Sequence, residues 1–262
     1  MFDDFASYFE DKLIDDLDYV APREVARVVA ERIGNATTAA DSHRKGRPYS
    51  SAIDAGCGTG LIGPYLRPLV SGPMVGVDLS PGMVQRAAEL VADNPDGKPK
   101  MADKHNMRRV DELARKAQNL PRLYDGLFVG DLMDLGNAKA QEGYGHVLTE
   151  KFPAEPVELI VCADVLCYFG SMNEILRAFA DRLAPGGDLV FTTETMASGD
   201  YNWVQLVSDR YAHDADYVHE MAVEAGLTRI SQTAFVPRLE LGENVLGTLH
   251  AFTKDDKAAE WG

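Results

Sequence analysis

Ala52-Ile53 runs without a break into Asp54-Ala55-Gly56-Cys57-Gly58-Thr59-Gly60, and no other stretch constrains the fold of this chain so tightly. It reads as a strand that delivers its end into a glycine-rich loop opening a helix. Glycines let backbone approach a ligand more closely than any Cβ allows, and the following helix points unpaired N–H groups at whatever is bound. One unit later, Met74-Val75-Gly76-Val77-Asp78 reads as a second buried strand, closed by an acid suited to accept both hydroxyls of a ribose. Loop and acid together point to a bound nucleoside.

Two cofactor readings compete for the loop. Gly58-Thr59-Gly60-Leu61-Ile62-Gly63 satisfies the G-x-G-x-x-G fingerprint of dinucleotide binding, with Asp78 at roughly the twenty-residue offset that pattern needs. A nicotinamide-dependent oxidoreductase is therefore one reading. Its register is awkward, because the first glycine of that fingerprint leaves the strand directly, and here Asp54-Ala55-Gly56-Cys57 intervene. The whole run from Ile53 to Gly60 resembles instead the first motif of class I S-adenosylmethionine (AdoMet) dependent methyltransferases. In that family the acid lies near the methionine ammonium and the glycines pass beneath the sulfonium side.

The remainder of the chain reads as alternating helices and strands. Phe2, Phe5, Phe9, Leu13, Leu17 and Val20 recur at helical spacing before Pro22 restarts a second helix towards Ile33, giving a covering helix pair. A helix over about Leu61–Val70 follows the glycine loop, and Ser80 as N-cap with Pro81 announces another. Tyr124–Gly130 is a strand ending in Asp131. Val157–Ala163 is a continuous apolar run ending in Asp164, as expected of a parallel strand covered on both faces. A helix near Met172–Leu183 stops at Pro185-Gly186-Gly187, a strand over Asp188–Thr193 ends at Glu194, and Asp216–Ala225 is a helix closed by Gly226. Thr228–Pro237 and Asn244–Thr253 are two last strands joined by a turn around Gly242. The fold class is α/β: a doubly wound, mostly parallel, seven-stranded Rossmann-like sheet with a C-terminal antiparallel hairpin and an N-terminal helical cap. One domain spans 1–262, with a cap and lead-in over 1–49 and a core over 50–262 interrupted by polar insertions at 92–122 and 136–156. The first insertion joins a helix end to a strand start, so it should sit at the inactive edge. Glu194–His213 leaves the carboxyl end of a strand, where ligands of open α/β sheets bind, and is the expected substrate loop.

The likeness to methyltransferases continues through Phe2-Asp3-Asp4-Phe5-Ala6, Leu17-Asp18-Tyr19, Tyr124-Asp125-Gly126-Leu127-Phe128-Val129-Gly130-Asp131-Leu132 and Ala163-Asp164-Val165-Leu166-Cys167-Tyr168-Phe169-Gly170. These runs, with Arg210-Tyr211-Ala212-His213 and Val245-Leu246-Gly247-Thr248-Leu249, are similar to a methyltransferase group often described as carrying N-terminal tetratricopeptide repeats. Residues 1–50 are too short to hold such repeats. The resemblance implies that Gly56, Gly58 and Gly60 line the amino-acid part of AdoMet with Asp54 and Cys57 beside them. It further implies that Asp78 takes the ribose hydroxyls, that Asp131 and Leu132 face the adenine edge, and that Leu79, Met83 and Ala163 complete the site.

Methyl transfer is an in-line displacement that needs alignment and exclusion of water more than it needs a base. If the acceptor is a hydroxyl, histidine is the natural base, and His213 is the one this reading sets beside the site, with Tyr211 as its neighbour. His213 or Asp214 is equally suited to cap the next helix. Arg210 suits an acidic group of the substrate or a buttress for the loop, and Tyr168, Tyr201 and Trp203 suit pocket walls. Asp164-Val165-Leu166-Cys167 stands where N-methylating enzymes of bases and glutamine carry an Asn/Asp-Pro-Pro-Tyr/Phe signature, so the acceptor is expected to be a small molecule, methylated at oxygen, sulfur or an amine. The histidines show no ligand spacing, and no metal is expected. A third reading, a non-catalytic AdoMet-binding module, stays open.

A formal charge of −15 and a pI near 4.8 repel a phosphate backbone, which argues against a nucleic-acid substrate. Acids at Asp3 and Asp4, no apolar run of spanning length and three unpaired cysteines lead to the expectation of a cytoplasmic protein, monomer or homodimer, with no membrane partner.

Overall fold

The computed structural model describes residues 19–34, 45–92, 123–147, 152–197, 199–240 and 242–255. The expected helix over Phe2–Leu17 and the insertion over 93–122 lie outside the described residues. Helix α1 (Ala21–Gly34) begins with Pro22 in its first turn, where a missing N–H costs nothing, and buries Val25, Ala26, Val28 and Val29. Strands β1 (Ala52–Ala55) and β2 (Met74–Asp78) run parallel, with Ala52 opposite Met74 and Ala55 opposite Val77.

Between them the expected long helix is cut short. Helix α2 covers only Gly63–Leu66 and passes into a 3-10 turn at Arg67–Leu69. Pro68 has no N–H to donate to the carbonyl of Pro64, so the α ladder cannot continue. Helix α3 (Pro81–Ala92) starts as anticipated, with the Met83 N–H donating to Ser80 Oγ at 3.2 Å.

Strand β3 (Gly126–Val129) pairs with β2, and the insertion over 136–156 supplies a short helix α4 (Ala138–Gln141) and an edge strand β4 (Gly145–His146) antiparallel to β3. Strand β5 (Val157–Cys162) lies against β1. Helix α5 (Asn173–Arg182) leads into β6 (Leu183–Thr195), which pairs with β5 from Leu183 and shifts register around Pro185-Gly186-Gly187 rather than starting after them.

The expected substrate loop Glu194–His213 is not a loop throughout. It folds into a hairpin of β7 (Trp203–Gln205) and β8 (Tyr211–His213), and β8 adds in parallel to the end of β6 at Glu194 and Thr195. Where β5 has ended, β6 still has a free edge, and the hairpin satisfies it.

Helix α6 (Ala215–Glu224) is capped by Asp214, whose Oδ1 accepts from the N–H groups of Asp216 and Tyr217. Strand β9 (Leu227–Phe235), a small hairpin of β10 (Leu239–Glu240) and β11 (Glu243–Asn244), and β12 (Gly247–Lys254) complete the chain. The order is β4-β3-β2-β1-β5-β6-β12-β9, with β12 antiparallel between β6 and β9. The seven-stranded kernel is the one read from the sequence; β4, β7 and β8 enlarge it to ten strands.

Alternation along the strands sends side chains into two cores. Ala52, Leu159, Val161 and Val190 face α1, α2 and α3, whereas Ile53, Ile160, Cys162 and Phe191 face α5 and α6. On the first face Arg32 of α1 makes a two-pronged bond to the buried Asp188 of β6, 3.2 Å at each nitrogen, and the Tyr49 hydroxyl donates to the same carboxylate at 2.6 Å. This fixes the helix that carries residues 20–24 to the sheet. Because β9 is antiparallel to β12, which is antiparallel to β6, the chain leaving β9 at Phe235 emerges at the carboxyl edge of the parallel strands.

Candidate active site

Two neighbouring clusters occupy the carboxyl edge. The first is the loop after β1. The N–H groups of Gly56 and Cys57 both donate to the Val77 carbonyl, at 2.8 and 3.0 Å, so the loop is clipped to the end of β2. Gly56 has φ +77°, and a Cβ there would stand 2.4 Å from Val165. Gly58 has φ +52°, and among the described residues nothing lies within 4 Å of its would-be Cβ, as an open cradle for a ligand requires. Asp78 bridges this loop and the next helix: its Oδ2 accepts from Gly58 N–H and its Oδ1 from Ser80 N–H, both at 2.9 Å. Leu79 beside it is an apolar side chain that is 70% exposed. Met83 and Leu132 are buried, and Ala163 is half-buried. Asp131 caps the turn that follows β3 by accepting from Met133 N–H at 3.0 Å.

Asp54 and Cys57 are buried at the base of the loop. The Tyr124 hydroxyl donates to Asp54 Oδ2 at 2.6 Å. Burial, together with the charge of Asp78, pushes the Asp54 carboxyl up to about 7, against the pull of the tyrosine hydrogen bond. Cys57 is likewise pushed up by burial and stays a thiol, its Sγ 3.7 Å from the Gly58 carbonyl. Gly63, the third glycine of the literal dinucleotide fingerprint, faces the Tyr124 ring, 2.9 Å from where its Cβ would be. That glycine makes room for a core side chain, and the literal pattern needs no pyrophosphate to explain it.

The second cluster begins at Asp164, held at φ +58° just past β5 and adjacent to the valine that touches Gly56. Arg238, almost fully buried, donates to Asp164 Oδ1 at 2.6 Å and to Glu194 Oε1, and reaches Glu240 at 3.5 Å. Arg210 adds contacts to Glu240 at 3.1 Å and Glu194 at 3.6 Å, and lies over the Tyr168 ring at 5.8 Å. Carboxylates hold Arg238 well above the usual guanidinium range, outweighing its burial. Asp164, Cys167 and Glu194 bring three ligand-type atoms within 4.8 Å of one another, but Arg238 is already the cation seated on both carboxylates. Arg238 also lines a cavity of about 370 Å³ between the start of α1 and the segment after β9, walled by Val20, Arg23, Phe235, Val236 and Leu239.

Of the residues expected in the substrate loop, Arg210 joins this cluster. His213 is wholly buried; its Nε2 lies 2.8 Å from the Phe169 carbonyl and 3.1 Å from that of Gly170, and burial lowers its pKa. Since carbonyls only accept, Nε2 carries the proton and Nδ1 holds the lone pair; Nδ1 is itself buried and has no well-aligned hydrogen bond among the described residues, with the Glu194 backbone also acting on the ring. Asp214, not His213, makes the helix cap. Tyr211 stacks edge-on with Trp203 at 5.3 Å, and Trp203 packs over Gly170. Tyr201 is largely exposed.

A family model described as a methyltransferase domain matches residues 9–236. The chain belongs to that family. It is an S-adenosylmethionine-dependent methyltransferase. Similar solved folds include the Burkholderia thailandensis 1,6-didemethyltoxoflavin-N1-methyltransferase, at 14% identity and TM-score 0.57, covering 97% of this chain and 87% of that one. Another is the N-methyltransferase NodS of Bradyrhizobium japonicum, at 17% identity and TM-score 0.51, covering 88% and 86%. A third is the putative methyltransferase of Haloferax volcanii, in complex with the activator Trm112, at 16% identity and TM-score 0.57, covering 97% and 98%. At these identities the likeness is one of fold. No curated protein matches the sequence.

In this methyltransferase no local pattern of the sequence marks Arg238, Glu240 or the bond from Tyr124 to Asp54. Arg238 sits in Val236-Pro237-Arg238-Leu239-Glu240, which has no motif. The usable signal was topological: a strand returning parallel to β6 must release its chain at the ligand-binding edge.

Proposed function

We propose that the methyltransferase transfers a methyl group to an oxygen of a small-molecule acceptor held against the Arg238 cluster. The observation that carries this reading is contiguity. Gly56, in the cofactor loop, is packed against Val165, and the next residue, Asp164, is bonded to Arg238, which borders a cavity of about 370 Å³. That volume suits a small molecule. The charge of −15 favours such an acceptor over nucleic acid.

When bound, S-adenosylmethionine supplies a methyl group activated by its sulfonium. Gly56, Cys57, Gly58 and Gly60 would cradle its amino-acid part, with Asp54 facing the ammonium. Asp78 would exchange its bond to Gly58 for the ribose hydroxyls, while Leu79, Met83, Asp131, Leu132 and Ala163 flank the adenine. The open space at Gly58 and the exposed Leu79 support that fit. On the acceptor side, Arg210 and Tyr168 orient the substrate, Tyr201 and Trp203 restrict water, and the lone pair of the buried His213 Nδ1 takes the hydroxyl proton once acceptor binding opens a path to it, with Tyr211 as neighbour. His213 stays neutral near pH 7 because burial lowers its pKa.

Calorimetric titration with AdoMet, S-adenosylhomocysteine and NAD tests the donor; binding of NAD with neither sulfur ligand defeats it. Methyl transfer across hydroxyl, thiol and amine acceptors tests the rest. A His213→Gln variant should lower kcat with oxygen acceptors, and unchanged kcat assigns His213 to structure alone.

A further inference from the structure

The Tyr124 hydroxyl donates to Asp54 Oδ2 at 2.6 Å, and both side chains are almost wholly buried. The same tyrosine ring lies against the places where Gly60 and Gly63 lack a Cβ, at 3.2 and 2.9 Å. One side chain therefore supports the glycine loop from the core and grips the carboxyl that begins it. The groups acting on Asp54 are Tyr124 from the approach to β3, Cys57 from the loop, Asp78 from the end of β2 and Cys162 from β5. None is a cation. Burial and Asp78 favour the neutral acid, and the phenol is the group that favours the carboxylate.

We propose that Tyr124 is a positioning residue of the cofactor site, whose hydroxyl keeps Asp54 charged near neutral pH and thereby sets the pH dependence of binding a ligand that carries an ammonium group. This rests on the reading that Asp54 faces the methionine ammonium. A protonated Asp54 offers an ammonium only a neutral acceptor, so affinity falls as the carboxyl gains its proton. Tyr124→Phe removes the hydrogen bond and leaves the ring under Gly60 and Gly63. The Asp54 carboxyl then takes up its proton at higher pH.

The test is calorimetry on the full chain between about pH 5.5 and 8.5 with two ligands, the midpoint being read against the Asp54 value of about 7. One is S-adenosylhomocysteine; the other is 5′-methylthioadenosine, which has the same adenosine and thioether but no ammonium. In the native protein, affinity for S-adenosylhomocysteine should decline as pH drops through about 7 while that for methylthioadenosine stays level. Tyr124→Phe should move the midpoint upwards and weaken S-adenosylhomocysteine about tenfold near neutrality, the usual cost of losing a hydrogen bond to a charged group, and change methylthioadenosine less than about twofold. Asp54→Asn should make S-adenosylhomocysteine binding weak and independent of pH. Equal losses on both ligands at every pH, or a Tyr124→Phe profile superimposable on the native one, overturn the proposal. A native protein that binds both ligands with level profiles overturns it too, even if the variant does not fold, and leaves the cofactor reading intact. Binding of neither ligand removes the cofactor reading and the proposal together.

Discussion

The glycine loop and the Arg238 cluster sit side by side on one sheet edge, yet they are built by opposite means. The loop is a single stretch, Asp54 to Gly60, closed by Asp78 and Ser80 of the next unit, and it is held largely by backbone bonds such as Gly56 and Cys57 to Val77. The cluster draws Asp164, Glu194, Arg210, Arg238 and Glu240 from four separate segments and is held by charge. The loop has one shape that many side chains would ruin; the cluster has many charges that only one arrangement neutralises. On the proposed reading, a cofactor needs a fixed cradle, whereas an acceptor site is free to be assembled from distant residues.

The sharpest way to break this contrast is to remove the cation. Arg238→Met takes the 2.6 Å partner from half-buried Asp164 and leaves buried Glu194 with only Arg210 at 3.6 Å, and it should destabilise the fold by about 3 kcal/mol in urea denaturation, the usual result of breaking a buried pair from one side. Glu240→Gln, at a 40% exposed side chain, should cost less than about 1 kcal/mol. If the two variants unfold at the same urea concentration, charge does not hold the Arg238 cluster together.

Glycine substitutions probe the other half. Gly56→Ala meets Val165 at 2.4 Å from a left-handed backbone, so it should cost about 2–4 kcal/mol and shift β5 relative to the loop. Gly58→Ala has open space, so only the left-handed conformation counts, about 1–2 kcal/mol. The new methyl would fill the cradle, so Gly58→Ala should lose more cofactor affinity than stability. Thermal shift with and without S-adenosylhomocysteine separates the two effects, and a Gly58→Ala protein that is still stabilised like the native one would place the ligand elsewhere.

The same contrast explains what was legible in the sequence. The loop, Asp78, the Ser80 cap and the closing antiparallel pair were readable because each is local: a motif, a cap residue or an alternation confined to a few positions. Arg238 was not, because its meaning depends on β9 ending beside Asp164, a long-range fact that no local pattern encodes. The β7–β8 hairpin was missed for a related reason: Trp203–Gln205 and Tyr211–His213 are too short to show alternation, and they become strands only because β6 outruns β5. Helix α2 was overestimated although its signal was present, since Pro68 lies within the expected span.

Two buried titratable groups, one near each half, allow a last and smaller test through pH. On the cofactor side, the folded Asp54 carboxyl sits at about 7, above its unfolded value, so the folded state holds the extra proton and stability from this residue falls as pH rises from about 4 to 7. On β12, opposite Phe191 of β6, His250 has its pKa lowered to about 3 by burial, followed by the charges of His213, His219 and Arg229. Its ring stacks on Phe191 at 4.8 Å and its Nε2 lies 3.1 Å from Thr193 Oγ1. Here the unfolded state holds the extra proton, so stability from His250 is complete above its unfolded pKa and is lost as pH falls below about 6.5. Each slope is about 1.4 kcal/mol per pH unit with opposite sign, and the two oppose each other between about pH 4.5 and 6. Asp54→Asn should therefore make stability rise more steeply with pH than in the native protein across that window, and His250→Gln should tilt it the other way. Chemical denaturation at three or four pH values measures both differences; if the variants tilt in the same direction, at least one of these groups is not protonated as its surroundings require.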